Sequence, residues 1–328
     1  MFSVVGIGNP LMDLIMRTDY ESFKEFNAEP GTMNLVDSGI VKKILDKISD
    51  ETILPGGSCA NTLRGFSWLC GKNGPLGIPA YIGAVGDDKE GKNLSTMFNS
   101  LGVKPFLAKK RAATGVSAIL VTPDHERTMF TYLGASRELS KLDIDFKVVH
   151  NTRCLHIAGY MWDTENQKEA ARSCIVEAKD RGIIVSFDLA DPFVVHRYGE
   201  ELCSWLPGKV DILFGNREEL SVMTGQSIDE KIIDSISGFA NIVVMKTGEE
   251  GCIIKKGNEK EIKVSGEKVS AVDTTGAGDS FAAGFLYAFL SGHELIKCGK
   301  LANLIASRIV TVEGCNYDKI DREEILRS

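Results

Sequence analysis

Short apolar runs separated by polar, glycine-bearing turns dominate this chain, and in its second half they alternate with stretches of helical period. Residues 4–8 and 81–86 are apolar on both faces, the pattern of strands buried within a parallel sheet. Further strands are expected at 154–158, 183–188, 211–214 and 241–246. Between them lie expected helices at 166–181 and 217–224, with a short apolar segment at 202–206. Segments 252–255 and 261–264 read as a strand pair, and 280–290 and 295–312 as two closing helices. In the first half the period predicts helices at 38–48, 60–69 and 89–101, the last capped by Asp87. Residues 20–37 are mixed and aromatic, with a turn at Pro30-Gly31 and some extended structure. Segments 114–122 and 127–133 alternate partly around 123–126, which predicts a hairpin with one exposed face. Repeated βα units imply an α/β fold with a mostly parallel sheet covered on both faces. No repeat or low-complexity linker divides the chain, so residues 1–328 read as one domain.

Composition narrows the partners. The 43% hydrophobic and 25% charged residues are ordinary for a globular enzyme, and 328 residues suffice for a large core. A net charge of −7 argues against nucleic-acid binding, which needs Lys and Arg to neutralise phosphates. The longest apolar run, 281–290, is half a membrane span. Eight scattered cysteines without a C-x-x-C pair, and an N-terminus without a basic leader, read as a cytoplasmic protein with reduced thiols.

The chemistry concentrates in glycine turns that open helices. The stretch 271–281 runs from Asp273 through Gly276, Ala277, Gly278 and Asp279 into an apolar helix. Unpaired N–H groups and the helix dipole converge there on any anion, and Asp279 stands beside that anion hole. As a base it would take a proton from a hydroxyl while the hole holds a phosphoryl group; as a cap it would only close the helix. A second turn, 55–62, offers Gly57, Ser58 and Asn61, with an N-capped turn as the plain alternative. After the first strand, Asn9 and Asp13 offer an amide and a carboxylate suited to vicinal hydroxyls, or simply form a turn. Asn216 and Glu219 are either a capping box or a pair that orders a hydrated metal.

Two look-alikes are excluded. Gly6-x-Gly8 lacks the third glycine of a dinucleotide fingerprint. Residues 86–93 nearly spell a P-loop, but Asn93 replaces the hydroxyl residue and the acidic Asp87, Asp88 and Glu90 would repel phosphates.

Asp-Thr-Thr-Gly-Ala-Gly-Asp at 273–279 resembles the C-terminal signature of the ribokinase-like (PfkB) sugar and nucleoside kinases. Gly56-Gly57 and Asn216-x-x-Glu219 match two further family motifs in the same order. Segments 8–13, 57–58, 158–160, 190–193 and 211–216 are most similar to those of adenosine kinases. The resemblance implies a three-layer α/β fold with a small β-sheet lid from about 14–55 and 107–136. It implies ATP and Mg²⁺ as cofactors, a nucleoside or sugar as acceptor, and a monomer or homodimer. Asp279 would be the base, Gly276, Ala277 and Gly278 the anion hole, and Arg127 would reach the phosphates. Asn9, Asp13, Gly57, Ser58 and Asn61 would hold the acceptor's hydroxyls, while Leu11, Leu133, Tyr160 and Phe193 line its base. Asn216, Lys246, Thr247, Gly248 and Asn303 would border ATP, with Glu219 and Asn216 toward the metal. Asp273 and Gly314 match positions that hold a monovalent cation in some relatives. Tyr160 in place of Phe, Met33 in place of Gln, and Cys59-Ala60 depart from the adenosine-kinase pattern and bear on the base more than on the ribose. The resemblance implies transfer of the γ-phosphate to a nucleoside 5′-hydroxyl, adenosine first, with a sugar kinase as the alternative. A regulator that kept the fold without catalysis is disfavoured, because every catalytic position is present.

Overall fold

Fourteen strands follow one another as β1 (Phe2–Ile7), β2 (Leu11–Arg17), β3 (Met33–Leu35), β4 (Glu51–Gly56), β5 (Ala80–Gly86), β6 (Lys104–Lys110), β7 (Gly115–Val121), β8 (Arg127–Tyr132), β9 (Thr152–Ala158), β10 (Ile184–Asp188), β11 (Val210–Asn216), β12 (Ala240–Lys246), β13 (Gly251–Lys256) and β14 (Ile262–Ser265). They are the strands of a computed structural model that describes residues 1–26, 28, 31–47, 51–71, 74–123 and 126–327. Pro30, Ile48, Asp124 and His125, where a turn, a helix end and a loop were expected, lie outside the described residues.

The large sheet has the order β14-β13-β12-β11-β10-β9-β1-β5-β6. It is parallel from β12 to β6, and β13 and β14 add an antiparallel edge. From β1 the chain builds outward to β5 and β6, then returns to β9 and builds the other way. The boundary between β1 and β9 is therefore a topological switch point, where a crevice opens at the strands' carboxyl ends. Apolar layers cover both faces. One packs Leu63, Phe66, Phe281 and Phe285 on Phe214; the other packs Trp162, Val194 and Leu202 on Phe187 and Leu213. Gly284, inside the helix Ala277–Leu290, has a steric reason: a Cβ there would lie 2.7 Å from Ile305 Cγ2 of the helix Leu295–Ile309.

The second sheet has the order β3-β8-β7-β2-β4. Ala118, Leu120 and Phe130 on one face join Val41 and Ile44 of the helix Ser38–Lys47. The pleat sends Ser117, Ile119, Met129 and Thr131 to the other face, which walls a cleft, so the hairpin has no simply solvated side.

Several expectations are corrected. Residues 107–110 pair with β5 in the large sheet, so the small sheet's second segment begins at Gly115. Asp13 lies inside β2. Asp88, not Asp87, caps the helix Lys89–Ser100, accepting from Gly91 N, while Asp87 pairs with Lys109 on the surface. The segment 202–206 ends a longer helix, Pro192–Trp205, started by Asp191 as N-cap and Pro192 in its first turn. The helix Asp229–Ile236 was not anticipated, its amphipathic signal being only two turns long.

Candidate active site

A cleft of about 760 Å³ lies at the switch point, floored by the ends of β1 and β9 to β12 and walled by the small sheet. Gly276 opens the helix Ala277–Leu290 in the left-handed conformation (φ 75°), and a Cβ there would sit 2.7 Å from Cys315 Sγ. Asp279 stands in the first turn but makes no capping hydrogen bond. Its Oδ1 accepts from Ser58 Oγ at 2.6 Å and its Oδ2 from Asn61 Nδ2 at 3.0 Å. Burial raises the Asp279 pKa to about 6, against the pull of these two hydrogen bonds. The cap reading is thus replaced by a carboxylate held from a second helix, Ser58–Cys70. Buried Arg64 orients that helix's amide: its Nη1 donates to Asn61 Oδ1 at 2.9 Å, leaving Asn61 Nδ2 for Asp279. Arg64 carries no sequence motif.

Asp13 faces the same cleft, and Gly56 makes room for it, since a Cβ there would lie 2.0 Å from Asp13 Cγ. Burial raises the Asp13 pKa to about 7; Arg64 and Arg127 lower it and Asp279 raises it. Gly57 is also required, at φ 97° with Asn9 O only 2.2 Å from where its Cβ would be. Asn9, Gly57, Ser58 and Asn61 all line the cleft.

At the other end, Asn216 and Glu219 do form the capping box: Asn216 Oδ1 accepts from Glu219 N, and Glu219 accepts from Asn216 N and Nδ2, each at 2.8 Å. They also line the cleft, so the two readings of this pair are not exclusive. Burial raises the Glu219 pKa to about 7, with Lys246 lowering it and Asp188 raising it. Asp188, which no motif marked, holds the Lys246 ammonium with both oxygens at 3.0 Å. That ammonium lies 3.2 Å from where a Cβ on Gly278 would be, so a positive charge sits against the turn that opens the helix Ala277–Leu290. Gly248 and Asn303 also line the cleft, Asn303 Nδ2 donating to Val264 O and Ser265 O. Thr247 does not line the cleft; its N–H goes to Gly251 O. Arg127 also stands back from the lining, with Nη1 on Thr275 Oγ1 and Nη2 2.6 Å from Asp273 Oδ2. Asp273 additionally accepts from Thr275 N and Gly314 N.

No group of three or more His, Cys, Asp or Glu side chains among the described residues forms a metal cage. Each Glu219 oxygen accepts one hydrogen bond and retains a lone pair, which suits Mg²⁺ that arrives hydrated with a nucleotide. The remaining wall is apolar. Leu11, Leu133, Tyr160 and Phe193 line it, joined by Met33, Leu35, Ile119 and Met129 of the small sheet. Tyr160 Oη donates to Asp191 Oδ2 at 3.0 Å.

Residues 31–322 match the model of the pfkB family of carbohydrate kinases. The chain belongs to that family. Among relatives of this pfkB-family kinase is a nucleoside kinase of Methanothermobacter thermautotrophicus, 30% identical over 99% of this chain and 94% of its own. The crystal structure of adenosine kinase from Sinorhizobium meliloti superposes with a TM-score of 0.89 at 31% identity, over 99% of this chain and 98% of that one. A probable sugar kinase from Rhizobium etli CFN 42 superposes with a TM-score of 0.90 at 33% identity, over the same shares. The pfkB-family kinase is accordingly a phosphotransferase acting on an alcohol group of a nucleoside or sugar.

Proposed function

We propose that this kinase transfers the γ-phosphoryl group of ATP to the 5′-hydroxyl of a nucleoside, with adenosine as the first acceptor. The observation that carries this reading is the apolar wall of Leu11, Met33, Ile119, Met129, Tyr160 and Phe193 beside the polar group of Asn9, Asp13 and Asn61. A nucleoside has a flat apolar base and a polyhydroxylated sugar; such a wall is of no use to a free sugar. Asp13 takes the sugar hydroxyls, and Asp279, oriented by Ser58 and Asn61, takes the proton of the attacking hydroxyl. The amides of Gly276, Ala277 and Gly278, backed by Lys246, receive the charge of the moving phosphoryl group. Bound with ATP, Mg²⁺ would neutralise charge on the phosphates, its waters held by Glu219 and Asn216. Gly248 and Asn303 border the nucleotide.

The sugar-kinase reading is supported by the likeness to the probable sugar kinase of Rhizobium etli and by the match to a family of carbohydrate kinases. ADP release across a panel of nucleosides and free sugars decides between them. Turnover of adenosine with none of ribose or fructose is expected. Turnover of free sugars alone would overturn the nucleoside reading.

A further inference from the structure

Gln167 breaks a local rule. Thr164 and Gln167 are the N-cap and N3 positions of the helix Glu165–Lys179 and spell a capping box, in which the glutamine would reach back to the Thr164 N–H. It does not. Gln167 is fully buried, and its Nε2 donates to Asn9 Oδ1 at 2.6 Å and to the backbone oxygen of Ser136 at 2.8 Å. Thr164 Oγ1 donates to its Oε1 at 3.0 Å.

This arrangement determines which end of the Asn9 amide faces the cleft. Amide oxygen and nitrogen are normally assigned from their partners, and here one partner is unambiguous. The Ser136 carbonyl can only accept, so the Gln167 atom beside it is the NH₂ group. The second hydrogen of that NH₂ then points at Asn9, whose atom 2.6 Å away must be the oxygen. Asn9 is left with Nδ2, for which no acceptor exists among the described residues, at a site 8% exposed on the cleft lining. That donor pair faces the open cleft, where a ligand can accept from it.

We infer that Gln167 is a positioning residue for acceptor recognition: it locks Asn9 as a hydrogen-bond donor, so the acceptor must present a ring nitrogen or hydroxyl oxygen there, not an amino group. The same amide ties Asn9 to the 3-10 turn Gly134–Glu138, directly after Leu133 on the apolar wall. Gln167 thereby couples the polar and apolar sides of one acceptor site. The inference rests on the nucleoside reading only for the choice of probe.

The test is calorimetric titration with adenosine and steady-state kinetics on the native chain, Gln167→Glu, Gln167→Met and Asn9→Asp. Gln167→Glu offers Asn9 an acceptor, so the Asn9 amide turns round and presents its oxygen to the cleft. Asn9→Asp still accepts from Gln167 but presents a second oxygen. Losing the donor should raise Kd and KM about ten- to hundredfold in both, with a much smaller change in kcat. Gln167→Met, which removes the lock without adding charge, should do the same more weakly and guards against a Glu variant that fails to fold. A purely structural Gln167 would lower the melting temperature and leave KM unmoved, and that result overturns the inference. If the native chain does not bind adenosine, the nucleoside reading fails, while side-chain amide exchange still decides the positioning role without ligand. Gln167 NH₂ protons should exchange slowly and those of Asn9 fast, with Asn9 slowed in Gln167→Glu; slow Asn9 exchange in the native chain overturns it.

Discussion

Ser58 Oγ donates to Asp279 Oδ1 at 2.6 Å across 221 residues of sequence. The bond joins the first turns of two helices whose N-termini meet at the switch point of the large sheet. It sets the direction of a carboxylate that burial keeps near a pKa of about 6, a value matched to proton transfer near neutral pH.

Asp279→Asn should lower turnover by about 10²–10⁴ while the fold persists. The new amide can donate to the Ser58 hydroxyl and accept from Asn61, so both neighbours stay satisfied and only the proton acceptor is lost. Steady-state turnover with a melting curve checks this; near-native turnover would remove Asp279 as the base.

Activity and stability should move in opposite directions with pH. Asp13 and Glu219 at about 7 and Asp279 at about 6 are all raised above their ordinary values by burial. Between their unfolded and folded pKa values the folded chain binds the extra protons, so these groups make the protein more stable as pH falls from about 7 toward 5. Buried His156, lowered to about 4, acts the other way below its unfolded value near 6.5, one group against three. Meanwhile kcat/KM should fall below pH 7 as Asp13 protonates and more steeply below 6 as Asp279 does. Melting temperatures and kcat/KM between pH 5 and 8 read both; parallel declines would contradict this assignment.

Glu219→Gln keeps the reach of the side chain but loses its charge. If Glu219 holds metal-bound water, the Mg²⁺ concentration for half-maximal turnover should rise several-fold and kcat fall, with the KM for the acceptor little changed. A helix that only lost its capping box would lose on the order of 1 kcal/mol of stability with the Mg²⁺ dependence intact. A magnesium titration separates the two.

Tyr160 divides into ring and hydroxyl. Tyr160→Phe loses the bond to Asp191 but keeps the face, and should leave nucleoside KM within a few-fold of native. Tyr160→Leu should raise that KM by about 10–100-fold, since stacking on a base is worth on the order of 1–3 kcal/mol. Turnover at saturation should change much less, because on the proposed nucleoside reading the ring meets the base and not the reacting hydroxyl. A Leu variant with reduced melting temperature and native KM would make Tyr160 a core aromatic and favour the sugar acceptor.

The sequence alone determined what is local in this protein. Apolar runs specify strands by their own burial pattern, as in 81–86, and a glycine turn ahead of an apolar run specifies a helix N-terminus with Asp279 in its first turn. Asn216 and Glu219 formed their capping box because a three-residue spacing suffices to bring them together. The fold class followed for the same reason, since alternating strands and helices have few ways to cover a parallel sheet. What the tertiary structure decided are the pairings between distant segments. Asp188 with Lys246, Ser58 with Asp279, and Gln167 with Asn9 depend on which elements lie beside which, and placing β1 between β5 and β9 is a property of the whole sheet. The small sheet's wall is of this kind too: Met33, Ile119 and Met129 read as ordinary strand residues until the sheet closes over the cleft. The raised carboxylates were equally out of reach, because desolvation comes from groups brought near by folding and not from neighbours along the chain.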